Sequence, residues 1–305
     1  MNEAGIKKIA GKYKVPAGTV EKDYVLSLML LILSNLDLSD SLVFKGGTAI
    51  KKIYYLEARF SEDLDLNVFD IEIQHIKDNL RGIPEINPFD SVEFEDIKDE
   101  NESSDSYSCR LNYTGPLNYK NSIKLDFSGK APPLLKRREY KPIIDDYKSW
   151  EEGVCVYLNY RYSVPFLGGY KHIFDCKLGK RSKFRSLAAC WKCTMFTPGQ
   201  EIGNRTGIQT MNLEEILAEK CRALMMRSMP RDLYDILFLL ERGVSFDALL
   251  VKKKLRGYEE EWTNRTFYEK IDTLESLWKR DLRSLLPEVP DFNLAVRSVK
   301  SKIWF

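Results

Sequence analysis

The sequence predicts an α+β protein in which N-terminal helices pack on a mixed sheet and a helical bundle closes the chain. Three observations carry that reading. Apolar residues keep helical spacing from Ile6 to Leu36, strand-like runs dominate from Leu42 to about Thr210, and helical spacing returns after Met211. The predicted division is therefore a sheet-bearing domain at 1–210, including the N-terminal helices, and a helical domain at 211–305.

Each element has a local reason. Val15-Pro16-Ala17-Gly18 interrupts the first helical stretch, so two helices are expected before the sheet. Strand signals fall at residues 42–44, 64–68, 106–113, 122–127 and 154–162, where β-branched and aromatic residues alternate with polar ones. Asn212, with Glu215 three residues on, reads as a capping box opening a helix. Pro230 then restarts the chain as a second helix with Asp232 and Asp235 in its first turn, where the helix dipole favours carboxylates. Amphipathic spacing at 281–287 and 293–303 extends the bundle to the C-terminus.

A chain of 305 residues with 44% hydrophobic content can bury a sizeable core. The net charge of +2 does not mark a nucleic-acid binder, so any RNA contact must come from local patches. No secretory signal is visible, and the apolar run 25–36 is too short and too interrupted to span a bilayer, which predicts no membrane partner. Six cysteines without a secretory signal suit reduced thiols and a cytoplasmic location.

The chemistry-bearing stretch is 43–68. A buried strand leads into Gly46 and Gly47, which permit close backbone approach, and Thr48 can begin a helix whose N-terminal amides attract phosphate. Ser61 is a lesser phosphate-contact candidate. Asp63 and Asp65 stand two apart on the next strand, so both carboxylates share one face, with Leu64 and Leu66 on the other, and can share a divalent cation. The same alternation is common on half-exposed strand edges. Around Ser122-Ile123-Lys124-Leu125-Asp126-Phe127, Lys124 and Asp126 likewise share the polar face, so a third carboxylate can meet the first two. Nucleotidyl transfer needs such a set, because one or two Mg²⁺ (or Mn²⁺) ions must bridge phosphate oxygens and lower the pKa of the attacking hydroxyl. Asp126 would serve as metal ligand or general base. Farther on, Lys220 falls inside an apolar helix face with Leu213, Ile216, Leu217 and Leu224, so its ammonium needs a carboxylate or phosphate partner. Asp232 or Asp235 would orient Lys220 or the nucleotide, and Arg231 would contact phosphate or pair with an acid. Tyr234 could stack on a base or pack in the core.

These residues resemble the AbiEii/AbiGii group of nucleotidyltransferase-like toxins, within the DNA-polymerase-β-like nucleotidyltransferase superfamily. Asp23-Tyr24 is similar to the group's N-terminal signature, and Lys-Gly-Gly-Thr-Ala with Phe-Ser-Glu-Asp-Leu-Asp to its first catalytic motif. Lys124-Leu125-Asp126 is similar to the second, the helix ending at Lys220 to the third, and Arg231-Asp232-Leu233-Tyr234-Asp235 to the fourth, in the same order. The resemblance implies a polymerase-β-like catalytic lobe, an NTP substrate, a toxin of a toxin–antitoxin or abortive-infection (phage-defence) system with a cognate antitoxin, and transfer of nucleotides to an acceptor. In some members that acceptor is the tRNA 3′ end, and transfer blocks translation. A protein or small-molecule acceptor, or a non-catalytic binding role on the same scaffold, are the alternatives.

Two further patterns lie outside the motifs. His172, Cys176, Cys190 and Cys193 have plausible zinc spacing, but with one Cys-x-x-Cys pair zinc is disfavoured. Cations concentrate at 136–138 and 177–185, either as solvated loops or as an RNA-backbone contact.

Overall fold

A computed structural model describes residues 1–87, 89–129, 133–135, 139–144, 146–147, 163–166, 169–172, 207–256, 258 and 261–303. The predicted strand at 154–162, the three zinc-candidate cysteines and both basic segments lie outside these residues. His172 falls in a described strand, but its side chain is outside the description.

The expected α+β order is present. Helices α1 (Glu3–Tyr13) and α2 (Ala17–Asn35) precede β1 (Leu42–Lys45), a short helix α3 (Gly46–Ala49) that continues as a π-helical turn (Ile50–Tyr54), and β2 (Asp63–Val68). Then follow α4 (Ile73–Arg81), α5 (Ile83–Ile86), β3 (Glu93–Ser103), β4 (Ser106–Thr114), β5 (Lys120–Ser128), β6 (Glu139–Pro142), the hairpin β7 (Ser163–Phe166) and β8 (Gly169–His172), and β9 (Gly207–Thr210). The chain ends in α6 (Leu213–Arg227), α7 (Pro230–Glu241), α8 (Ala248–Arg256), α9 (Asn264–Asp272), α10 (Glu275–Leu282) and α11 (Phe292–Lys302).

The main sheet has the order β3-β4-β5-β2-β1-β9-β6. It is mixed: β1 runs antiparallel to β2 and parallel to β9, while β2 runs parallel to β5. Apolar residues of β1, β2 and β5, among them Phe44, Leu64, Leu66, Ile123 and Leu125, are buried on one face, and α2 is buried along almost its whole length. The helical region is docked on the sheet end rather than hung from it: Met211 donates its N–H to the Phe44 carbonyl at 3.0 Å, and the Tyr54 hydroxyl donates to the Met211 carbonyl at 2.7 Å. No helix among the described residues is long and apolar enough to cross a membrane. Cys109 and Cys221 are buried free thiols.

Three local expectations need correction. The helix after β1 starts at Gly46 rather than Thr48, because Gly46 adopts φ +82°, a left-handed conformation that turns the extended Lys45 directly into helix. The Asn212–Glu215 capping box does not form. Asn212 makes no side-chain cap bond, and the Glu215 carboxylate instead accepts the Leu134 and Leu135 N–H groups (2.7 and 3.1 Å) and pairs with the buried Lys254 ammonium at 2.6 Å. Pro230 does open α7, but Asp235 falls in its second turn, leaving only Asp232 in the first.

Candidate active site

Strand pairing places the first set of groups. In the parallel β2–β5 ladder Asp63 stands opposite Lys124 and Asp65 opposite Asp126, and across β1 Asp65 stands opposite Lys45. Period-two alternation therefore brings Asp63, Asp65, Lys124 and Asp126 to one face, with Leu64, Leu66, Leu125 and Phe127 buried on the other. The acids are individually held. The Ser61 hydroxyl donates to Asp63 at 3.1 Å, Arg231 approaches the same carboxylate at 3.8 Å, and Lys124 pairs with Asp126 at 2.8 Å.

The glycine pair lets side chains approach the start of α3. A Cβ on Gly46 would lie closer than 3.0 Å to Asp65 Oδ2, and one on Gly47 would lie 2.6 Å from Arg59 Nη2 and 3.2 Å from Asp235 Oδ2. Thr48 is fully buried, and its hydroxyl donates to the Asp63 carbonyl at 2.5 Å. The hydroxyl proton expected to meet a triphosphate is here engaged in bracing β2. Ser61 is also buried and serves Asp63.

The helical region supplies the facing wall. Lys220 on α6 is 7% exposed and contacts both Asp232 (3.2 Å) and Asp235 (2.9 Å) on α7. The sequence asks for a carboxylate or a phosphate partner; the structure provides two carboxylates, each also gripped by an arginine. Arg59 makes a bidentate pair with Asp235 (Nε 2.8 Å, Nη2 2.7 Å), and Arg227 makes one with Asp232 (both contacts 2.8 Å). The result is an alternating chain, Arg59–Asp235–Lys220–Asp232–Arg227, beside the strand acids. Tyr234 is partly buried against Phe238 and Trp278, the packed-core outcome.

Electrostatics separate the two adjacent strand acids. Burial raises Asp65 to about 6, helped by the negative charges of Asp63 and Asp126 and opposed by Lys220 and Lys45. Burial also works against ionised Asp63, but Arg231, Arg59 and Lys220 outweigh it and hold that carboxyl below its usual range. Asp232 is lowered well below the carboxylate range because Lys220 and Arg227 overcome its burial. Lys220 is raised by Asp235 and Asp232 despite burial, so it is a permanent cation.

A divalent cation would have to sit on the strand acids. Among the described residues no three His, Cys, Asp or Glu side chains stand as a ready-made metal cluster, and Asp126 is paired with Lys124. Asp63 and Asp65 nonetheless form an all-oxygen donor pair whose mutual repulsion a cation would relieve, a chemistry that suits Mg²⁺ or Mn²⁺ rather than zinc.

Sequence reasoning missed Arg59, Arg227 and Lys45. Arg59 and Arg227 each lie in or beside a motif, but only the fold shows which acid they meet. Lys45, next to Gly46, is lowered by burial while Glu219 and Asp65 pull it back up.

A mixed sheet carrying paired acids at a glycine turn, closed by a helical wall with an ion-paired lysine, defines a nucleotidyltransferase. The chain belongs to the AbiEii family: the family described as nucleotidyl transferase AbiEii toxin of type IV toxin–antitoxin systems matches residues 28–158 and 192–301. It is thus a nucleotidyltransferase toxin. Among solved structures it is similar to MenT4, the nucleotidyltransferase toxin Rv2826c from Mycobacterium tuberculosis H37Rv, with 17% identity, TM-score 0.61, and 99% of this chain and 88% of that one covered. JHP933 from Helicobacter pylori matches with 19% identity and TM-score 0.48, over 90% of this chain and 87% of that one. No curated protein matches the sequence.

Proposed function

We propose that the protein transfers nucleotides from an NTP to an RNA hydroxyl, with the tRNA 3′ end as acceptor, and so blocks translation; the hydroxyl oxygen bonds to the α-phosphorus as the α–β phosphoanhydride bond breaks and pyrophosphate leaves. The observation that carries this is the register that sets Asp63, Asp65, Lys124 and Asp126 on one face of β2 and β5, opposed by Arg231 and Lys220. In this reading Asp63 and Asp65 hold Mg²⁺ (or Mn²⁺). The ion, when bound, neutralises phosphate charge and lowers the pKa of the attacking hydroxyl. Asp126 stands beside Asp65 and, released from Lys124, accepts the proton of that hydroxyl. Lys124 is then available to a phosphate oxygen. Backbone amides at Gly46 and Gly47 and the Arg231 guanidinium bind the phosphate chain. Lys220 is set by Asp232 and Asp235 with its positive charge toward the strand acids, where it balances charge developing on the transferred phosphoryl group. The catalytic region is residues 1–210, and 211–305 forms the second wall of the cleft.

The test is incubation of the protein with Mg²⁺, total tRNA and each radiolabelled NTP in turn, beside Asp65→Ala. Label on tRNA that disappears in the variant supports the proposal. Label on a polypeptide instead moves the acceptor to a protein, and no transfer in the presence of the cognate antitoxin-free toxin sinks it.

A further inference from the structure

Two arginines clamp the acids of the Lys220 chain, yet their remaining hydrogen-bonding capacity differs. Arg59 is 3% exposed and spends all three nitrogens: Nε and Nη2 on Asp235, and Nη1 on the Phe60 carbonyl at 3.0 Å. It has no face left for a ligand. Arg227 engages Asp232 through Nε and Nη2 alone, and its side chain is 50% exposed. A guanidinium offers five N–H donors, so Nη1 and the outer N–H of Nη2 have no partner among the described residues.

Its position adds direction. Asp232 joins Arg227 directly to Lys220, so the half-exposed guanidinium is the outer end of the buried chain Arg59–Asp235–Lys220–Asp232–Arg227. Arg231, four residues later, reaches the acidic cleft from α7, in loose 3.8 Å contact with Asp63 and with its buried Nε unpaired. Asp232, fully buried and shared with Lys220, fixes the plane of the Arg227 fork. An exposed fork with open donors, anchored from behind by an acid it shares with Lys220, is a geometry for bidentate phosphate capture.

We propose that Arg227 is a nucleotide-binding residue that grips the phosphate chain of the incoming NTP through Nη1 and the outer face of Nη2, without leaving Asp232. The inference rests on the nucleotidyltransferase reading of the cleft and adds a residue to it. Because recognition is of phosphates, Arg227 selects for triphosphate length rather than for a base.

Calorimetric titration with ATP, CTP, GTP and UTP in Mg²⁺ identifies the nucleotide bound by the wild type, and the same titration is then run on Arg227→Gln, Arg227→Lys and, for comparison, Arg59→Lys, each with a thermal melt. The expected result is at least a tenfold rise in Kd for that NTP in both Arg227 variants, with its monophosphate bound within threefold of wild type. Lysine keeps a charge beside Asp232 but cannot serve acid and phosphate at once, so Arg227→Lys should melt near wild type and still bind weakly. Arg59→Lys should lower the melting temperature without selective loss of the triphosphate. Wild-type affinity in a folded Arg227→Lys protein overturns the inference while leaving the cleft assignment intact. A wild type that binds none of the four nucleotides overturns both.

Discussion

Gly46→Ala isolates the function of the glycine turn. Two costs follow from the structure. At φ +82° an L side chain carries a backbone penalty of about 1–2 kcal/mol. The new methyl would also lie 3.1 Å from Asp65 Cβ and Cγ and closer still to Oδ2. Asp65 is enclosed by Lys45, Asp63 and Asp126, so its carboxylate must retreat by roughly 1 Å, a misplacement that costs on the order of 100-fold in rate when reacting groups are positioned. At about 2–4 °C per kcal/mol, the melting temperature should fall by only about 2–8 °C. The assay pairs a thermal melt with label transfer and with growth arrest on induction. A folded variant that loses toxicity and about 99% of transfer supports the reasoning. Transfer within threefold of wild type would refute it, because Asp65 would then have room that the geometry denies.

Further outcomes follow from neighbouring contacts. Asp235→Ala strands the buried Arg59 and leaves Lys220 with Asp232 alone, so unfolding free energy should drop by about 3–5 kcal/mol in urea titration; a drop under 1 kcal/mol would mean that water or another acid replaces the carboxylate. Thr48→Val removes the hydroxyl from the Asp63 carbonyl and should cost about 1–3 kcal/mol, while Thr48→Ser recovers most of it; an equal loss in both would locate the effect in packing. Glu219 is buried, yet Lys45, Arg222 and Lys254 hold its carboxyl down to about 2. A depressed carboxylate contributes stability that is fully present above its unfolded pKa near 4.5 and lost as pH falls through 2, on the order of 3 kcal/mol. Glu219→Gln should therefore flatten the stability curve between pH 4.5 and 2, and an unchanged acid limb would assign that loss to other groups.

Much of this site could be read from residues close together in the chain. Asp63-Leu64-Asp65 declares its shared face through period-two alternation, and the same logic works for Lys124 and Asp126. Lys220 announces itself as a cation on an apolar helical face. What stayed hidden depends on pairing across the fold. Arg59 looks like any loop arginine until Asp235, 176 residues later, is laid against it. Local sequence likewise cannot show that the Thr48 hydroxyl meets the Asp63 carbonyl of β2, 15 residues on. Strand β3, Glu93-Phe-Glu-Asp-Ile-Lys-Asp-Glu-Asn-Glu-Ser103, is so charged that it carries no strand signal; its edge position, with most side chains exposed, explains why such a sequence is tolerated. The capping-box reading of Glu215 failed for a similar reason, since Lys254 and a distant backbone segment outcompeted the local N–H.

The 176-residue span between Arg59 and Asp235 also constrains when the protein becomes dangerous to the cell that makes it. Synthesis at about 5–20 residues per second separates those two residues by roughly 10–35 s. During that interval the strand acids are made first, and the acids that hold Lys220 come only at its end. A chain that stops before α7 would lack both acids that hold Lys220, and the buried network could close only when α7 has emerged and docked. For a toxin, that order would put completion of the site late in synthesis.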